Sequence, residues 1–203
     1  METFVTSLKT NLDKDLGKSM LPIQTQRLVL RVFNIDDADF VLELLNDPSW
    51  LRFIGDRGVK TSEQAMDWIQ TRPIASQQQF GYSFYVVCDR GQGIAMGICG
   101  LIKRDSLPCI DLGYAFLPRY TGQGYALEAA QAVVQHAEQD LHLVRLAAIT
   151  DPDNERSNRL LNLLGFSLQE VLTLPGETRI SNLYFRESKK NAPNDQGASD
   201  IHS

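Results

Sequence analysis

The chain has 203 residues, of which 43% are hydrophobic, and a formal net charge of −5. This length suits one domain, and the apolar content supports a sizeable core, which excludes a wholly disordered chain. The negative charge argues against a nucleic-acid backbone or an anionic membrane as the partner. Because no apolar run is long enough for a membrane span and residues 1–20 do not read as a signal peptide, we expect a cytoplasmic protein.

Three regions are predicted along the chain. Apolar residues at helical spacing make residues 1–21 an accessory segment with a short amphipathic helix. A single domain is expected over 22–187. Residues 188–203 are rich in Asn, Asp, Ser, Gly and Ala, which predicts a disordered tail.

The first half of the domain predicts one strand, two helices and a hairpin. Polar and apolar residues alternate over 27–33, as in a half-buried strand, and helices are expected over 35–47 and 62–72, with Pro73 ending the second. Strands over 82–88 and 94–102 flank a Gly-containing turn, so they are expected to pair antiparallel.

The second half predicts four strands and two helices. The strands are expected over 110–117, 143–150, 166–173 and 178–187, and the helices over 122–140 and 154–164. The order of elements therefore predicts an α+β fold, with a mixed sheet covered by helices.

Two glycines, Gly122 and Gly124, lie where a predicted strand turns into the long helix. The first helical turn has unpaired N–H groups and the positive end of the helix dipole, and glycines let a phosphate come close to the backbone. A pyrophosphate cradle fits this pattern, although a simple tight turn explains it equally well. A dinucleotide-binding fold is disfavoured, because it requires a third Gly or Ala where this chain has Leu127.

A family resemblance follows from three stretches of sequence. The pattern Arg119-x-x-Gly122-x-Gly124-Tyr125-Ala126-x-Glu128 resembles the acetyl-CoA signature of the GNAT superfamily of N-acetyltransferases. The block from Asp153 to Phe166 and the opening residues Thr25 to Arg31 are similar to RimJ/RimL-type ribosomal-protein N-acetyltransferases. The resemblance covers about residues 22–187 and implies a mostly antiparallel twisted sheet with a splayed central strand pair.

The resemblance also implies an activity and a set of binding residues. The activity is transfer of an acetyl group from acetyl-CoA to a primary amine, with no metal. Phe116 and Leu117 are expected to contact the pantetheine arm through their backbone, and Asn154 to contact the arm from the other side or to act as an N-cap. The amides of residues 122–126 are expected to hold the pyrophosphate, with the side chains of Arg119 or Gln123 nearby. The expected pyrophosphate site therefore consists of Arg119, Gly122, Gln123, Gly124, Tyr125 and Ala126.

Two side chains are expected to move protons in the reaction. Asp111 lies where many family members carry a Glu that accepts the amine proton; the alternative is a solvent-facing strand carboxylate. Ser157 matches the proton donor of RimJ/RimL-type members; the alternative is a capping or packing residue. Leu161 stands where much of the superfamily has a tyrosine acid. An amide near Phe116 or Leu117 is expected to stabilise the oxyanion.

The acceptor is left open between a protein N-terminus and a small amine, and the oligomeric state between a monomer and a homodimer. The segment Trp50 to Phe53 is expected in a loop that contacts the acceptor. Cys88, Cys99 and Cys109 are odd in number and lack metal-ligand spacing, which predicts reduced thiols. Two alternative functions are an acyl-CoA-binding sensor or partner module without turnover, and nucleotide binding.

Overall fold

The computed structural model describes residues 21–176 and 178–188. The predicted N-terminal helix and the tail beyond Ser188 lie outside these residues. Within them, eight strands form one sheet in the order β1-β2-β3-β4-β5-β6-β8-β7. The strands are β1 (Ile23–Gln24), β2 (Leu28–Arg31), β3 (Phe84–Asp89), β4 (Ala95–Ile102), β5 (Asp111–Phe116), β6 (Arg145–Thr150), β7 (Ser167–Thr173) and β8 (Ile180–Glu187).

Six α-helices cover the two faces of the sheet in this part of the chain. They are α1 (Ala38–Leu45), α2 (Pro48–Phe53), α3 (Ser62–Ile69), α4 (Ala75–Phe80), α5 (Tyr125–Gln139) and α6 (Glu155–Leu163). The predicted α+β class is confirmed, and every predicted strand and helix of the domain has a counterpart. The short strand β1 and the helices α2 and α4 were not predicted.

Every neighbouring strand pair is antiparallel except β5 and β6, which are parallel. A parallel pair needs a long crossover, and α5 provides it. The Ala-rich face of α5 is buried against β4 and β5, because small side chains let the helix approach the sheet closely.

Two apolar clusters lie on opposite faces of the sheet. One contains the buried faces of α5 and α6 together with Leu112 and Phe116 of β5. The other contains α1 and α3 together with Ile98 of β4 and Leu117. The central strands β3 and β4 are buried on both faces, which explains why they read as nearly continuous apolar runs.

The helix predicted to stop at Pro73 does not stop there. A π-helical segment, Gln70–Ile74, carries the chain through Pro73 into α4, which ends at Gly81 with a φ of +76°. The wider π turn accommodates a residue that lacks an N–H and whose ring would clash with the carbonyl four residues back. The prediction of a helix end at Pro73 was therefore wrong.

Candidate functional site

The parallel strands β5 and β6 are paired at one position only, Asp111 with Ala147. The Ala147 N–H donates to the Ile110 carbonyl at 2.9 Å. Beyond this point β6 pairs with β8 along its whole length, while β5 stays paired with β4. The two strands therefore diverge and leave an opening, here called the gap. The predicted splayed strand pair is confirmed.

The register of β5 decides which peptide groups face the gap. The Leu117 N–H donates to the Met96 carbonyl of the neighbouring strand at 3.0 Å, and the Leu117 carbonyl accepts from Tyr120. Because peptide groups alternate along a strand, those of Tyr114 and Phe116 point to the opposite edge, into the gap. Phe116 thus presents its backbone to the gap. Leu117 does not, since both of its main-chain groups are already bonded.

The glycine turn, residues Thr121 to Gly124, leads from β5 into α5. Gly122 and Gly124 have φ values of +75° and +82°, a region that L side chains rarely adopt, and Gly124 is the N-cap without a side-chain cap hydrogen bond. A Cβ on Gly122 would meet nothing within 4 Å. The amides at the start of a 15-residue helix thus border open space, and this geometry favours an anion.

A cleft of about 270 Å³ adjoins the glycine turn on the side of the β3–β4 hairpin. Arg119, Tyr120, Gln123 and Tyr125 line it from the turn and its flanks. Three predicted binding residues are thus brought together on this side of the cradle, while the gap opens on the other side of β5.

The side chains of Arg119 and Gln123 have partners within the protein. Arg119 forms an ion pair with Glu43 of α1, with an Nη2 to Oε2 distance of 3.1 Å, and both side chains are about half exposed. The Gln123 amide donates to the Arg119 carbonyl at 2.9 Å. Arg119 must therefore exchange its carboxylate partner before it can contact a phosphate, which the sequence did not reveal.

Arg27 and Glu128 hold the glycine turn in place through hydrogen bonds, a role that was not predicted from the sequence. The Arg27 guanidinium lies 4.4 Å from the Tyr125 ring centroid and donates to the Gln123 carbonyl at 3.0 Å. Its Nε contacts Glu128 at 2.6 Å, and Thr25 donates to the same carboxylate. Partial burial raises the pKa of Glu128, but the hydrogen bonds from Thr25 and Arg27 outweigh it and hold the pKa below its usual value.

Asp111 lies at the closed end of the gap with only 1% of its surface exposed. The Arg104 Nε contacts both carboxylate oxygens, at 3.2 and 3.1 Å. The solvent-facing alternative for Asp111 was therefore wrong. A buried carboxylate held by a guanidinium is fixed in orientation, so it can act on a nearby amine through water.

Helix α6 begins opposite the gap edge of β5. The Asn154 side chain accepts from the Ser157 N–H at 3.1 Å, which confirms it as the N-cap. The Tyr114 hydroxyl donates to the Ser157 carbonyl at 3.3 Å and also interacts with the Ser157 side chain. Leu161, further along α6, is fully buried in the core.

Asn158, next to Ser157, joins α6 to the sheet and was also missed. Its Oδ1 accepts from the hydroxyls of Thr150 and Tyr184 and from the Asn182 amide, while its Nδ2 donates to the Pro152 carbonyl at 3.0 Å. An asparagine on a helix gives no sequence signal for such a role, because its partners come from β6, β8 and a loop.

Trp50 does not lie in a loop, contrary to expectation. Asp47 caps α2, Pro48 begins it, and Trp50 is 5% exposed with its indole N–H donating to the Gly55 carbonyl at 3.0 Å. Trp50 is thus a core residue. The following segment does approach the β7–β8 connection, since Arg179 donates to the Leu51 carbonyl at 3.4 Å.

The cysteines form no disulfide, which confirms the prediction of free thiols. The described residues contain no cluster of three or more His, Cys, Asp or Glu side chains that could hold a metal ion. Nor do they contain a helix long and apolar enough to cross a membrane.

Comparison with known proteins agrees with the geometry. The model of the acetyltransferase (GNAT) domain matches residues 27–167. The N-acetyltransferase YoaA of Bacillus subtilis (strain 168), itself uncharacterised, is 30% identical over 156 residues, which is 75% of this chain and 87% of YoaA. The [ribosomal protein uS5]-alanine N-acetyltransferase of Escherichia coli (strain K12) is 30% identical over 82 residues, 38% of this chain and 42% of that protein.

A solved structure has the same fold. RimL, a ribosomal L7/L12 α-N-protein acetyltransferase in complex with coenzyme A, superposes with a TM-score of 0.71 at 21% identity, covering 82% of this chain and 97% of RimL. The match to the domain model spans more than half of the chain and includes the glycine turn, both edges of the gap and the start of α6. The chain therefore belongs to the GNAT family of acetyltransferases.

Proposed function

We propose that the protein transfers the acetyl group of acetyl-CoA to a primary amine, by direct attack of the amine in a ternary complex. The observation that carries this proposal is the continuity of the gap with the glycine turn. The gap offers unpaired peptide groups on the edge of β5, and the glycine turn offers the N-terminal amides of α5. The chain runs directly from one to the other. A long ligand with an amide-containing arm and a pyrophosphate suits both at once.

The binding roles follow from these groups. The peptide groups of Phe116 and Tyr114 pair with the pantetheine arm, and Asn154 borders it from α6. The amides of residues 122–126 hold the pyrophosphate, with Arg119 turning from Glu43 to a phosphate oxygen. Arg119 is exposed, so this exchange costs little, since exposed ion pairs contribute about 0–1 kcal/mol.

The chemical roles fall to Asp111 and Ser157. The amine attacks the thioester carbonyl, an amide of the β5 edge stabilises the oxyanion, and the departing thiolate takes a proton from Ser157. Asp111 receives the amine proton through water, because Arg104 already occupies one face of the carboxylate.

The acceptor is a protein N-terminal amine or a small amine. A free α-amine has a pKa of about 7.7–8.0, so roughly a third of it is neutral at pH 7.5, against about one part in a thousand for a lysine. A carboxylate that acts through water suits the α-amine. The name of the relative that acts on the alanine of ribosomal protein uS5 makes peptides beginning with Ala the first acceptors to test.

The test combines thiol release with mass spectrometry. The protein is incubated with acetyl-CoA and a panel of peptides with different N-terminal residues, small amines and N-terminally blocked peptides containing lysine. We expect acceptor-dependent release of free CoA and a mass gain of one acetyl group on an unblocked amine. Release that is independent of every acceptor contradicts the proposal.

A second candidate function is an acyl-CoA-binding sensor or partner module without turnover. Two observations favour it: buried Leu161 replaces the expected tyrosine acid, and Asp111 is already paired with Arg104. Saturable binding of acetyl-CoA, with no acceptor-dependent thiol release across the panel, supports this function over the first.

A further inference from the structure

Tyr114 contributes to the site with both its main chain and its side chain. Its peptide groups face the gap, as described above, while its side chain extends from β5 across to α6. There its hydroxyl lies 3.3 Å from the Ser157 carbonyl oxygen. Tyr114 thus connects the gap edge of β5 to the start of α6.

The Tyr114 hydroxyl keeps its proton and is weakly engaged. Burial raises the pKa of Tyr114 far above its usual value; a hydrogen bond with the Ser157 side chain lowers it, and the neighbouring Cys99 of β4 and Tyr184 of β8 raise it. The hydroxyl is therefore protonated throughout the neutral range, as a hydrogen-bond donor must be. A 3.3 Å bond is long for a hydroxyl donor, so a charged acceptor can compete for it.

We propose that the Tyr114 hydroxyl donates a hydrogen bond to the thioester sulfur and stabilises the thiolate as it leaves. This inference rests on the proposed function. In the step, the amine nitrogen forms a bond to the acyl carbon and gives up a proton through water to Asp111, the carbon–sulfur bond breaks, and its electron pair moves to sulfur. Tyr114 retains its proton, while the thiolate is protonated by the Ser157 hydroxyl, which regains a proton from water as Asp111 returns its proton to the solvent.

This assignment explains how the protein can have a leucine, Leu161, where a tyrosine acid is expected. The helix position expected to carry a tyrosine holds a buried leucine, and Tyr114 brings a phenolic hydroxyl to the same helix from the strand instead. Hydrogen bonds to a charged acceptor are stronger in a water-poor site than in water. Tyr114 is thus a catalytic residue that sequence reasoning missed.

The first test is Tyr114→Phe, with Tyr184→Phe as the matched control. Tyr184 is a buried tyrosine, whereas Tyr114 is partly buried, and the Tyr184 hydroxyl donates to the Asn158 side chain at 3.2 Å and supports the fold. Tyr114→Phe is expected to lower kcat by about 10- to 100-fold with the KM for acetyl-CoA within about twofold. Tyr184→Phe is expected to retain kcat within about threefold while losing thermal stability.

A double-mutant cycle with Ser157→Ala sharpens this test. If both hydroxyls act on one sulfur, the double variant loses less than the product of the two single losses. A kcat for Tyr114→Phe within twofold of the wild type overturns the inference. So does an equal loss of kcat in Tyr184→Phe, because both variants then act through stability alone.

The second test needs no acceptor, so it separates this inference from the proposed function. The affinities of CoA and desulfo-CoA are measured by calorimetry from pH 7 to 9.5. A hydrogen bond to the thiolate lowers the pKa of the bound thiol, so the wild type is expected to prefer CoA increasingly as pH rises. At pH 9.5, the ratio of the CoA affinity to the desulfo-CoA affinity is expected to be about tenfold lower in Tyr114→Phe than in the wild type.

An unchanged preference in Tyr114→Phe overturns the inference even if the enzyme is active. Conversely, if the protein shows a preference for CoA that depends on Tyr114 and yet acetylates no acceptor, that result supports the contact between Tyr114 and the thiolate and contradicts the proposed function.

Discussion

The carboxylate of Glu128 in α5 is bonded to Arg27 in two ways, through the guanidinium Nε at 2.6 Å and through the main-chain N–H at 2.9 Å. Arg27 comes 101 residues earlier in the chain, immediately before β2. The pair therefore fixes the first turn of α5, and with it the glycine turn, against the beginning of the sheet. Both residues belong to stretches of sequence that resemble the family, and neither is placed in the gap.

Glu128→Gln tests this link through the pH dependence of stability. We expect a loss of about 1–2 kcal/mol at pH 7, since charged hydrogen bonds are replaced by weaker ones and Arg27 is partly exposed. The folded-state pKa of Glu128 is lowered, so its contribution is fully present above the ordinary value of 4.5 and declines as pH falls through the folded value. Urea unfolding at pH 7 and pH 3 measures the difference; an equal loss at both values contradicts the assignment.

Gly122→Ala tests the phosphate cradle, with Gly58→Ala as the matched control. Both glycines have a positive φ, +75° and +71°, with nothing within 4 Å of an added Cβ, so the backbone strain is the same, about 1–2 kcal/mol. Only Gly122→Ala places a methyl group beside the α5 amides. Calorimetry is expected to show acetyl-CoA affinity reduced about tenfold or more in Gly122→Ala and unchanged in Gly58→Ala. Equal affinities in the two variants would remove the cradle from the glycine turn.

Glu43→Gln tests whether the ion pair with Arg119 competes with the nucleotide. Without its carboxylate partner Arg119 is free to meet a phosphate, so we expect the KM for acetyl-CoA to fall by up to about fivefold, most clearly at low salt. Glu63→Gln, an equal charge change at an exposed position in α3, is the control. If the two variants lower the KM equally, only net charge matters.

Asp111→Asn tests the route of the amine proton. With an α-amine acceptor we expect kcat/KM to fall about tenfold at pH 7 and to recover above pH 8, because the amine then loses its proton unaided. Asp105→Asn, an exposed carboxylate in the same loop as Arg104, serves as the control. A pH–rate profile of Asp111→Asn that coincides with that of the wild type removes Asp111 from the reaction.

Asn158→Ala tests the polar contacts that hold α6 on the sheet. Three donors share the Asn158 carbonyl oxygen, so its removal leaves partly buried polar groups unpaired and is expected to cost about 2–3 kcal/mol. Asn162→Ala, one turn later on the exposed side of α6, is expected to stay within about 0.5 kcal/mol of the wild type. Similar midpoints for the two variants in urea would show that the Asn158 contacts contribute nothing measurable.

Apart from β1, α2 and α4, the order of strands and helices could be predicted from the sequence, as could the glycine turn and the cap of α6. Each depends on short-range chemistry: apolar periodicity, the conformational freedom of Gly122 and Gly124, and the preference for Asn154 at an N-cap. These patterns also carry much of the family resemblance, because two of the matching stretches include the starts of α5 and α6.

Only the tertiary structure decided which of these residues meet. The gap exists because β5 and β6 share a single pair at Asp111, and strand alternation then separates Leu117, bonded to Met96, from the gap-facing Tyr114 and Phe116. The contacts of Tyr114 with Ser157 and of Arg27 with Glu128 span 43 and 101 residues. No local pattern encodes such distances, since they arise from strand register and from the packing of α5 and α6 against the sheet.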